Sequence, residues 1–313
     1  MTTKRVILRG GFGNQLFQWA FAHYVVSCGY KVILIAYENS RDSSLSQNDS
    51  SKFANIRSLM ETCKCFEMKS YSLRVPIYRR FRDVESKRHP LRKVPGYYQN
   101  FDDKPFQVIS TWEINRTTYF SGYFLNYQFV RSVESILVSE LRDFLNLRVA
   151  TDKLYSKEYP NIMHVRRGDF SIPSHFSKVG ILSSSYYQQA LGIVQASPWT
   201  LLTDDPRHVL DVTSKIDTDG VLGPESLDTV SALAAMSNSN NLIISNSTLA
   251  WWGGLLSTHQ GGRVWAPVPW YREDKLNQTI SIKHDEFQNV PAEFLQNLTE
   301  YDIAYLTDPR QPE

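Results

Sequence analysis

The sequence predicts an α/β fold built from two Rossmann-like domains, and three observations support this. The chain opens with an apolar strand at residues 5–9, a glycine-rich turn, a helix over 15–28 and a second strand at 31–36. This strand–helix–strand order is typical of a parallel sheet. A second alternating series begins near residue 160. The length of 313 residues also suits two domains better than one core.

The second series consists of short apolar strands that alternate with helices. Strands are predicted at 161–165, 199–203, 242–245 and 263–266, and helices at 184–196, 226–236 and 248–256. The break before this series is the natural domain boundary. We therefore predict an N-terminal domain over residues 1–155 and a C-terminal domain over residues 156–313.

Composition and charge exclude several classes of protein. The net charge of +2 provides no overall field that attracts nucleic acid. Cys28, Cys63 and Cys65 do not form a disulfide framework, and the last two are not at the usual zinc spacing. We find no signal-peptide pattern and no apolar run of about 18 residues. A cytoplasmic protein is therefore expected.

The stretch at residues 74–93 is rich in lysine and arginine and contains two prolines. One interpretation is a solvated loop or helix face. The other is a surface that meets anionic lipid headgroups or a phosphate-bearing acceptor. Any membrane contact predicted from this sequence is therefore peripheral.

The strongest functional pattern is the segment HVRRGDF at residues 164–170, directly after a predicted buried strand. Two arginines beside an apolar strand are costly unless they are paired. Asp169 is one candidate partner. The alternative is that Arg166 and Arg167 bind a diphosphate, which suits planar guanidinium groups.

The glycine turn after the first strand is a second candidate site. Gly11 and Gly13 let a ligand approach the backbone, and the helix N-terminus favours an anion. Asn14 and Gln15 add amides that bind sugar hydroxyls or phosphate oxygens. A tight turn needed only for packing is the alternative. Leu16 replaces the third glycine of a dinucleotide fingerprint, which argues against a nicotinamide-dependent oxidoreductase.

Polar residues also follow two other strands of the second series. Asp204 and Asp205 come after one of them, where a carboxylate caps the next helix, pairs with the arginines or accepts from a ligand hydroxyl. Ser247 and Thr248 come after another, where hydroxyls serve both as helix caps and as phosphate ligands.

Taken together, these motifs resemble the bacterial α-1,2-fucosyltransferases of glycosyltransferase family 11. Four blocks match in order, at residues 10–18, 164–170, 203–205 and 246–253. The resemblance implies a GT-B-like fold of two facing Rossmann-like domains, with the donor GDP-fucose bound mostly by the C-terminal domain. It also implies inverting transfer of L-fucose to the 2-hydroxyl of a galactose-containing glycan or lipid-linked oligosaccharide. Neither a metal nor another cofactor is implied.

The motifs and the resemblance together suggest roles for individual residues. Arg166 and Asn14 are expected at the reacting centre, and Gln15 and Asp204 are candidates for acceptor binding. The residues expected to bind the donor are His164, Arg166, Arg167, Gly11, Gly13, Asp228, Ser247 and Thr248.

Two roles stay open at this point. The family usually places an aspartate that reads guanine on the helix before the Asn246 strand, but Ala232 stands there, so Asp228 one turn earlier is the candidate. A general base is expected for the attacking hydroxyl. Asp169 and His175 both lie just past the arginine loop, and the departing phosphate is a third acceptor for the proton.

Two rival functions share part of the pattern. A noncatalytic protein that binds a nucleotide-sugar would use the same donor motifs. A transferase with another regiochemistry, or with another GDP-sugar as donor, would also use them.

Overall fold

The computed structural model describes residues 2–38, 52–72, 98–100, 111–149, 159–214, 216–279 and 281–298. The chain divides into two compact units, Met1–Leu147 and Arg148–Glu313, whereas the sequence analysis placed the boundary at 155–156. Each unit contains a parallel sheet with helices, so the predicted α/β class is confirmed. The basic stretch at 74–93 lies outside the described residues.

The N-terminal unit is built around a parallel sheet with the strand order β3-β2-β1-β5-β4 among the described residues. After β1 the chain adds β2 and β3 on one side, and β5 and β4 lie on the other side. The winding therefore reverses between β1 and β5. The elements are β1 (Thr3–Leu8), α1 (Phe12–Ser27), β2 (Lys31–Glu38), α2 (Ala54–Cys63), β3 (Glu67–Ser72), β4 (Tyr98–Asn100), α3 (Thr111–Arg116), β5 (Tyr119–Ser121) and α4 (Tyr127–Val149).

The C-terminal unit has the strand order β11-β10-β9-β6-β7-β8 in its described part, and every strand pair is parallel. β7 and β8 lie on one side of β6, and β9 to β11 lie on the other. The elements are β6 (Asn161–Val165), α5 (Pro173–Lys178), α6 (Ser184–Val194), β7 (Trp199–Thr203), α7 (Leu210–Thr213), β8 (Thr218–Leu222), α8 (Thr229–Ser237), β9 (Asn241–Ile243), α9 (Thr248–Thr258), β10 (Arg263–Val268), α10 (Asp274–Thr279) and β11 (Gln288–Pro291).

The reversal of winding fixes where each sheet is open to a ligand. In a doubly wound sheet, the connections on the two sides of a reversal run over opposite faces, which leaves a crevice outside the carboxyl ends of the two central strands. In the C-terminal unit these strands are β6 and β9. β6 leads directly into the arginine loop, and Ser247 lies a few residues beyond the end of β9, so Arg166 and Ser247 follow the two strands at this crevice.

The core of the C-terminal unit explains its apolar strands and tryptophans. Every residue of β6 and β7 is buried, as expected for central strands covered on both faces. Trp251 and Trp252 on α9 are fully buried and belong to this core. Gly253 lets α9 approach α8, since a Cβ there would lie 2.6 Å from the Cβ of Met236.

Candidate functional site

Three loops leave the same edge of the C-terminal sheet. β9, β6 and β7 are adjacent and parallel, so the loops that follow them begin side by side. Arg166 follows β6, Asp204 follows β7, and Ser247 lies just beyond β9. The fold thus brings together three of the sequence blocks that were predicted to act together.

Arg166 is held between two carboxylates at this edge. Its Nη1 lies 3.1 Å from Oδ2 of Asp204, and its Nη2 donates to Oδ1 of Asp169. Its guanidinium carbon also lies 5.3 Å from the ring centre of Phe170. The side chain keeps 29% of its surface exposed, so the guanidinium is oriented by the protein and still accessible to a ligand.

Asp204 fixes the shape of the arginine loop. Its Oδ1 accepts the backbone N–H of Arg167 at 2.8 Å while its Oδ2 pairs with Arg166. Burial raises the pKa of Asp204, and the charge of Arg166 and the amide of Arg167 oppose that rise. The acceptor-binding role predicted for Asp204 therefore competes with a structural one. Of the two aspartates, Asp205 caps the helical turn that follows, since its Oδ1 accepts from the backbone N–H of Arg207 at 3.1 Å.

Arg167 does not point to the surface with its neighbour. It is 2% exposed, and its Nε and Nη1 donate to the carbonyl oxygens of His208 at 2.9 Å and Leu182 at 3.0 Å. This differs from the prediction that both arginines meet a diphosphate. The carbonyl oxygens satisfy the buried cation, so a ligand contact by Arg167 would require these bonds to break.

His164 is a neutral, buried member of the site. Its Nδ1 shares a hydrogen bond of 2.8 Å with Oγ of Ser245, which links β6 to the segment after β9. Burial, together with the nearby charge of Arg166, lowers the pKa of His164 to about 3. The side chain therefore contributes a hydrogen bond and no charge near neutral pH. Ser245 was not predicted as a site residue, because the sequence analysis placed it within the strand at 242–245, whereas β9 ends at Ile243.

The N-terminus of α9 has no side-chain cap from its N-cap residue. Ser247 occupies the cap position, but its hydroxyl makes no capping hydrogen bond. Thr248 is the first helical residue. Asn246 anchors this segment, since its Nδ2 donates to the carbonyl oxygens of Val179 and Gly180 at 3.1 Å each. The first N–H groups of α9 thus lack the side-chain cap that would otherwise satisfy one of them.

The structure places both the candidate guanine-binding residue and one candidate general base. Asp228 is exposed and caps α8, with its Oδ1 accepting the backbone N–H of Ser231 at 2.7 Å. His175, at the start of α5, has its Nδ1 2.9 Å from the carbonyl oxygen of Asp169. A carbonyl oxygen only accepts, so Nδ1 carries the proton. In the neutral imidazole the Nε2 atom is then the basic nitrogen.

The glycine turn of the N-terminal unit depends on Gly10. Its φ of +74° is left-handed, and a Cβ there would lie 2.6 Å from Nδ2 of Asn14. Gly11 is the exposed cap residue of α1, and Gly13 lies in the first turn of that helix. Gln15 is fully buried, and its Nε2 donates to the carbonyl oxygens of Gly10 at 2.8 Å and Lys52 at 3.0 Å. The predicted acceptor-binding amide of Gln15 is therefore used to hold the turn.

Sequence reasoning assigned no role to three residues where the N-terminal sheet reverses: Arg9, Tyr123 and Gln18. The guanidinium carbon of Arg9 lies 4.3 Å from the ring centre of Tyr123, beyond the ends of β1 and β5. Gln18 fixes this edge from α1, since its amide bonds the backbone of Arg9 and the carbonyl oxygen of Gly122. A cation directly before the glycine turn was the signal available in the sequence.

A model of glycosyl transferase family 11 matches residues 4–289. The chain belongs to glycosyltransferase family 11. The resemblance found in the sequence is thereby confirmed at the level of the family.

Two family 11 relatives come from Escherichia coli. The O-antigen biosynthesis glycosyltransferase WbnK is 23% identical over 296 residues, which cover 84% of this chain and 93% of WbnK. An α-1,2-colitosyltransferase is 27% identical over 122 residues, which cover 37% of this chain and 42% of that enzyme.

The similar solved structures are distant. A family 9 glycosyltransferase from Veillonella parvula has a TM-score of 0.43 at 9% identity and covers 85% of this chain and 80% of its own. POFUT1 in complex with GDP-fucose has a TM-score of 0.39 at 11% identity, covering 85% of this chain and 97% of its own.

Within the described part of this family 11 chain, no helix has the length and apolar character needed to cross a membrane.

The buried neutral state of His164 predicts a loss of stability in acid. Its pKa is about 3 in the folded protein, below the ordinary value of 6.5. As the pH falls from 6.5 towards 3, His164 is protonated in the unfolded chain but stays neutral in the folded protein. Stability therefore falls by up to about 1.4 kcal/mol per pH unit from this group. In His164→Gln, urea unfolding between pH 7 and pH 4.5 is expected to show a shallower pH dependence.

His259→Gln is the matched control, because His259 is exposed at the end of α9. Its unfolding curves are expected to follow the wild-type pH dependence. An unchanged slope in His164→Gln would show that His164 is not held neutral by the fold.

Proposed function

We propose that this protein is an inverting α-1,2-fucosyltransferase that moves L-fucose from GDP-fucose to the 2-hydroxyl of a galactose-containing acceptor. The observation that carries the proposal is the position of Arg166 at the carboxyl end of β6, where the winding of the sheet reverses. Ligands of doubly wound sheets bind at such a point. The match to family 11 supports the reaction class.

The donor diphosphate is proposed to bind between Arg166 and the start of α9. The positive end of a helix dipole and a fixed guanidinium both favour a phosphate anion. The hydroxyl of Ser247, which makes no capping bond, and that of Thr248 are further hydrogen-bond donors at the same helix start. Ala232 stands where the family usually has an aspartate that binds guanine. Asp228, which is exposed before α8, is proposed to bind the guanine edge instead.

The proposed reaction is a direct displacement. The acceptor 2-oxygen forms a bond to the anomeric carbon of fucose, and the bond from that carbon to the β-phosphate oxygen breaks. The electron pair stays on the leaving GDP, where negative charge grows in the transition state. Arg166 and the α9 N-terminus are proposed to stabilise that charge, as a metal ion does in other transferases. The proposed reaction therefore needs no metal ion.

His175 is the favoured general base. Its Nδ1 is bound to the Asp169 carbonyl oxygen, and 46% of the His175 side chain is exposed, which leaves Nε2 as the nitrogen that would take a proton. The carboxylate of Asp169 is already paired with Arg166. The proton of the attacking hydroxyl is proposed to pass to Nε2 of His175.

The acceptor is proposed to be a surface glycan or a lipid-linked oligosaccharide. The name of the WbnK relative assigns that enzyme to O-antigen biosynthesis, which supports an acceptor of this kind. The N-terminal unit, with Asn14 at its turn, is proposed to hold it. The basic stretch at 74–93 remains the proposed point of peripheral membrane contact.

A second donor has a specific observation in its favour. The α-1,2-colitosyltransferase of Escherichia coli matches 37% of this chain. Colitose is L-fucose without its 3-hydroxyl, so both sugars would use the same GDP site. GDP-colitose is therefore the rival donor.

Product analysis tests the proposed function. The protein is incubated with GDP-fucose or GDP-colitose and a panel of galactosides, with and without added Mg²⁺, and the linkage of each product is determined by NMR. An α-1,2-fucosyl product that forms without Mg²⁺ is expected. A linkage to another position contradicts the regiochemistry, and a product from GDP-colitose alone contradicts the donor. Binding of GDP-fucose without turnover would indicate a noncatalytic protein.

Arg166→Ala is expected to lower kcat by about 10²–10³-fold, because one preorganised donor to the leaving group is lost. Arg166→Lys keeps the charge but loses the bidentate fork, so an intermediate value is expected. Steady-state kinetics with GDP-fucose measures both. Arg207→Ala is the control, since this exposed arginine pairs with Asp205 and is expected to leave kcat unchanged. Near-normal turnover in Arg166→Ala would remove Arg166 from the mechanism.

His175→Gln is expected to lower kcat by about 10²–10⁴-fold while the KM for GDP-fucose changes little, because only proton removal is lost. Asp169→Asn is expected to have the smaller effect on kcat, since its carboxylate serves as a partner of Arg166. His259→Gln controls for the loss of an exposed histidine. The reverse order of the two effects would assign the base to Asp169.

A further inference from the structure

A cluster of three potential metal ligands lies inside the N-terminal unit, and the proposed reaction does not use it. Nε2 of His23 lies 3.1 Å from Oε2 of Glu140. One ligand atom each from His23, Cys65 and Glu140 lie within 4.8 Å of one another. His23 is 7% exposed, and the other two residues are partly buried.

The three ligands come from three separate elements. His23 lies on α1, Cys65 in the connection between α2 and β3, and Glu140 on α4. His23 stands eleven residues after Phe12, the first residue of α1, which is about 16 Å along a helix axis. The cluster is therefore at the opposite end of α1 from the glycine turn.

We propose that His23, Cys65 and Glu140 bind a zinc ion that holds these three elements together. Thiolate, imidazole and carboxylate are the ligands that zinc uses in proteins. Around a tetrahedral zinc ion, bond lengths of about 2.0–2.3 Å place nitrogen, oxygen and sulfur ligands about 3.3–3.6 Å apart. The separation between His23 and Glu140 already approaches this value.

The charges of the cluster also suit a divalent cation. As metal ligands, the thiolate of Cys65 and the carboxylate of Glu140 carry two negative charges, and the imidazole of His23 is neutral. A zinc ion would neutralise these two charges.

Cys63 lies near the cluster but is not one of its three grouped ligands. It is the last residue of α2, and its Sγ lies 3.8 Å from the carbonyl oxygen of Glu140. Structural zinc sites use four protein ligands, and catalytic sites keep one position for water. The proposal requires only the three ligands that are grouped, so it does not depend on Cys63.

A metal titration tests the proposal. Metal-free full-length protein, reduced with a phosphine that does not bind zinc, is titrated with Zn²⁺ against a chromophoric chelator. One tight site per chain is expected in the wild type and in the control Cys28→Ser, because Cys28 lies outside the cluster. Cys65→Ser and His23→Gln are each expected to weaken Zn²⁺ binding at least about tenfold.

Cobalt provides a spectroscopic test of the ligand identity. Co²⁺ is expected to give a thiolate-to-cobalt charge-transfer band in the wild type and in Cys28→Ser, and none in Cys65→Ser. Saturating Zn²⁺ is expected to raise the Tm of the wild type by roughly 5–10 °C, and to raise that of Glu140→Gln by less. Far-UV circular dichroism confirms that each variant is folded. Because Glu140→Gln is nearly isosteric, it keeps the test decisive if Cys65→Ser does not fold.

Three results overturn the proposal. They are the absence of a tight Zn²⁺ site in reduced wild-type protein, equal Zn²⁺ affinity in Cys65→Ser and the wild type, and loss of the site in Cys28→Ser. Any of these would mean that the cluster is only a hydrogen-bonded network.

Discussion

The carboxylate of Asp204 is the interaction on which the candidate donor site depends. One oxygen accepts the amide of Arg167 and the other pairs with the guanidinium of Arg166. The carboxylate thus fixes both the backbone of the loop and the side chain that the loop presents. Burial disfavours its charged form, and Arg166 offsets this. The arginine and the aspartate therefore stabilise each other's charge, and removing Arg166 would leave the buried carboxylate of Asp204 without its cationic partner.

The two adjacent arginines follow opposite courses just beyond the end of β6. Arg167 turns into the protein and binds carbonyl oxygens, while Arg166 stays at the surface. That both arginines meet a diphosphate stays a prediction, and Arg167 would have to give up its carbonyl partners to do so.

The features that sequence reasoning predicted are those with a local cause. Apolar runs bounded by turns gave β6 and β7, and the order of strands and helices gave the α/β class. The features it missed depend on residues distant in sequence. The buried amide of Gln15 donates to the carbonyl oxygen of Lys52, and His23 meets Glu140 across 117 positions. Cysteine spacing detects zinc ligands only when they are neighbours in sequence, so it gives no sign of a cluster assembled from three elements.

The pairing of Arg166 with Asp169 has a consequence for donor binding. In the described structure Asp169 occupies the more exposed side of the guanidinium, with 49% of its own side chain exposed. This solvent-screened ion pair is weak, with a typical worth of about 0–1 kcal/mol. A diphosphate carries more negative charge than one carboxylate and would also reach the N-terminus of α9. The diphosphate should therefore displace Asp169 at little energetic cost, while Asp204 on the more buried side keeps the guanidinium in place. In the proposed donor site, Asp204 thus holds Arg166 in place before the donor binds, and displacement of Asp169 gives the diphosphate access to the guanidinium.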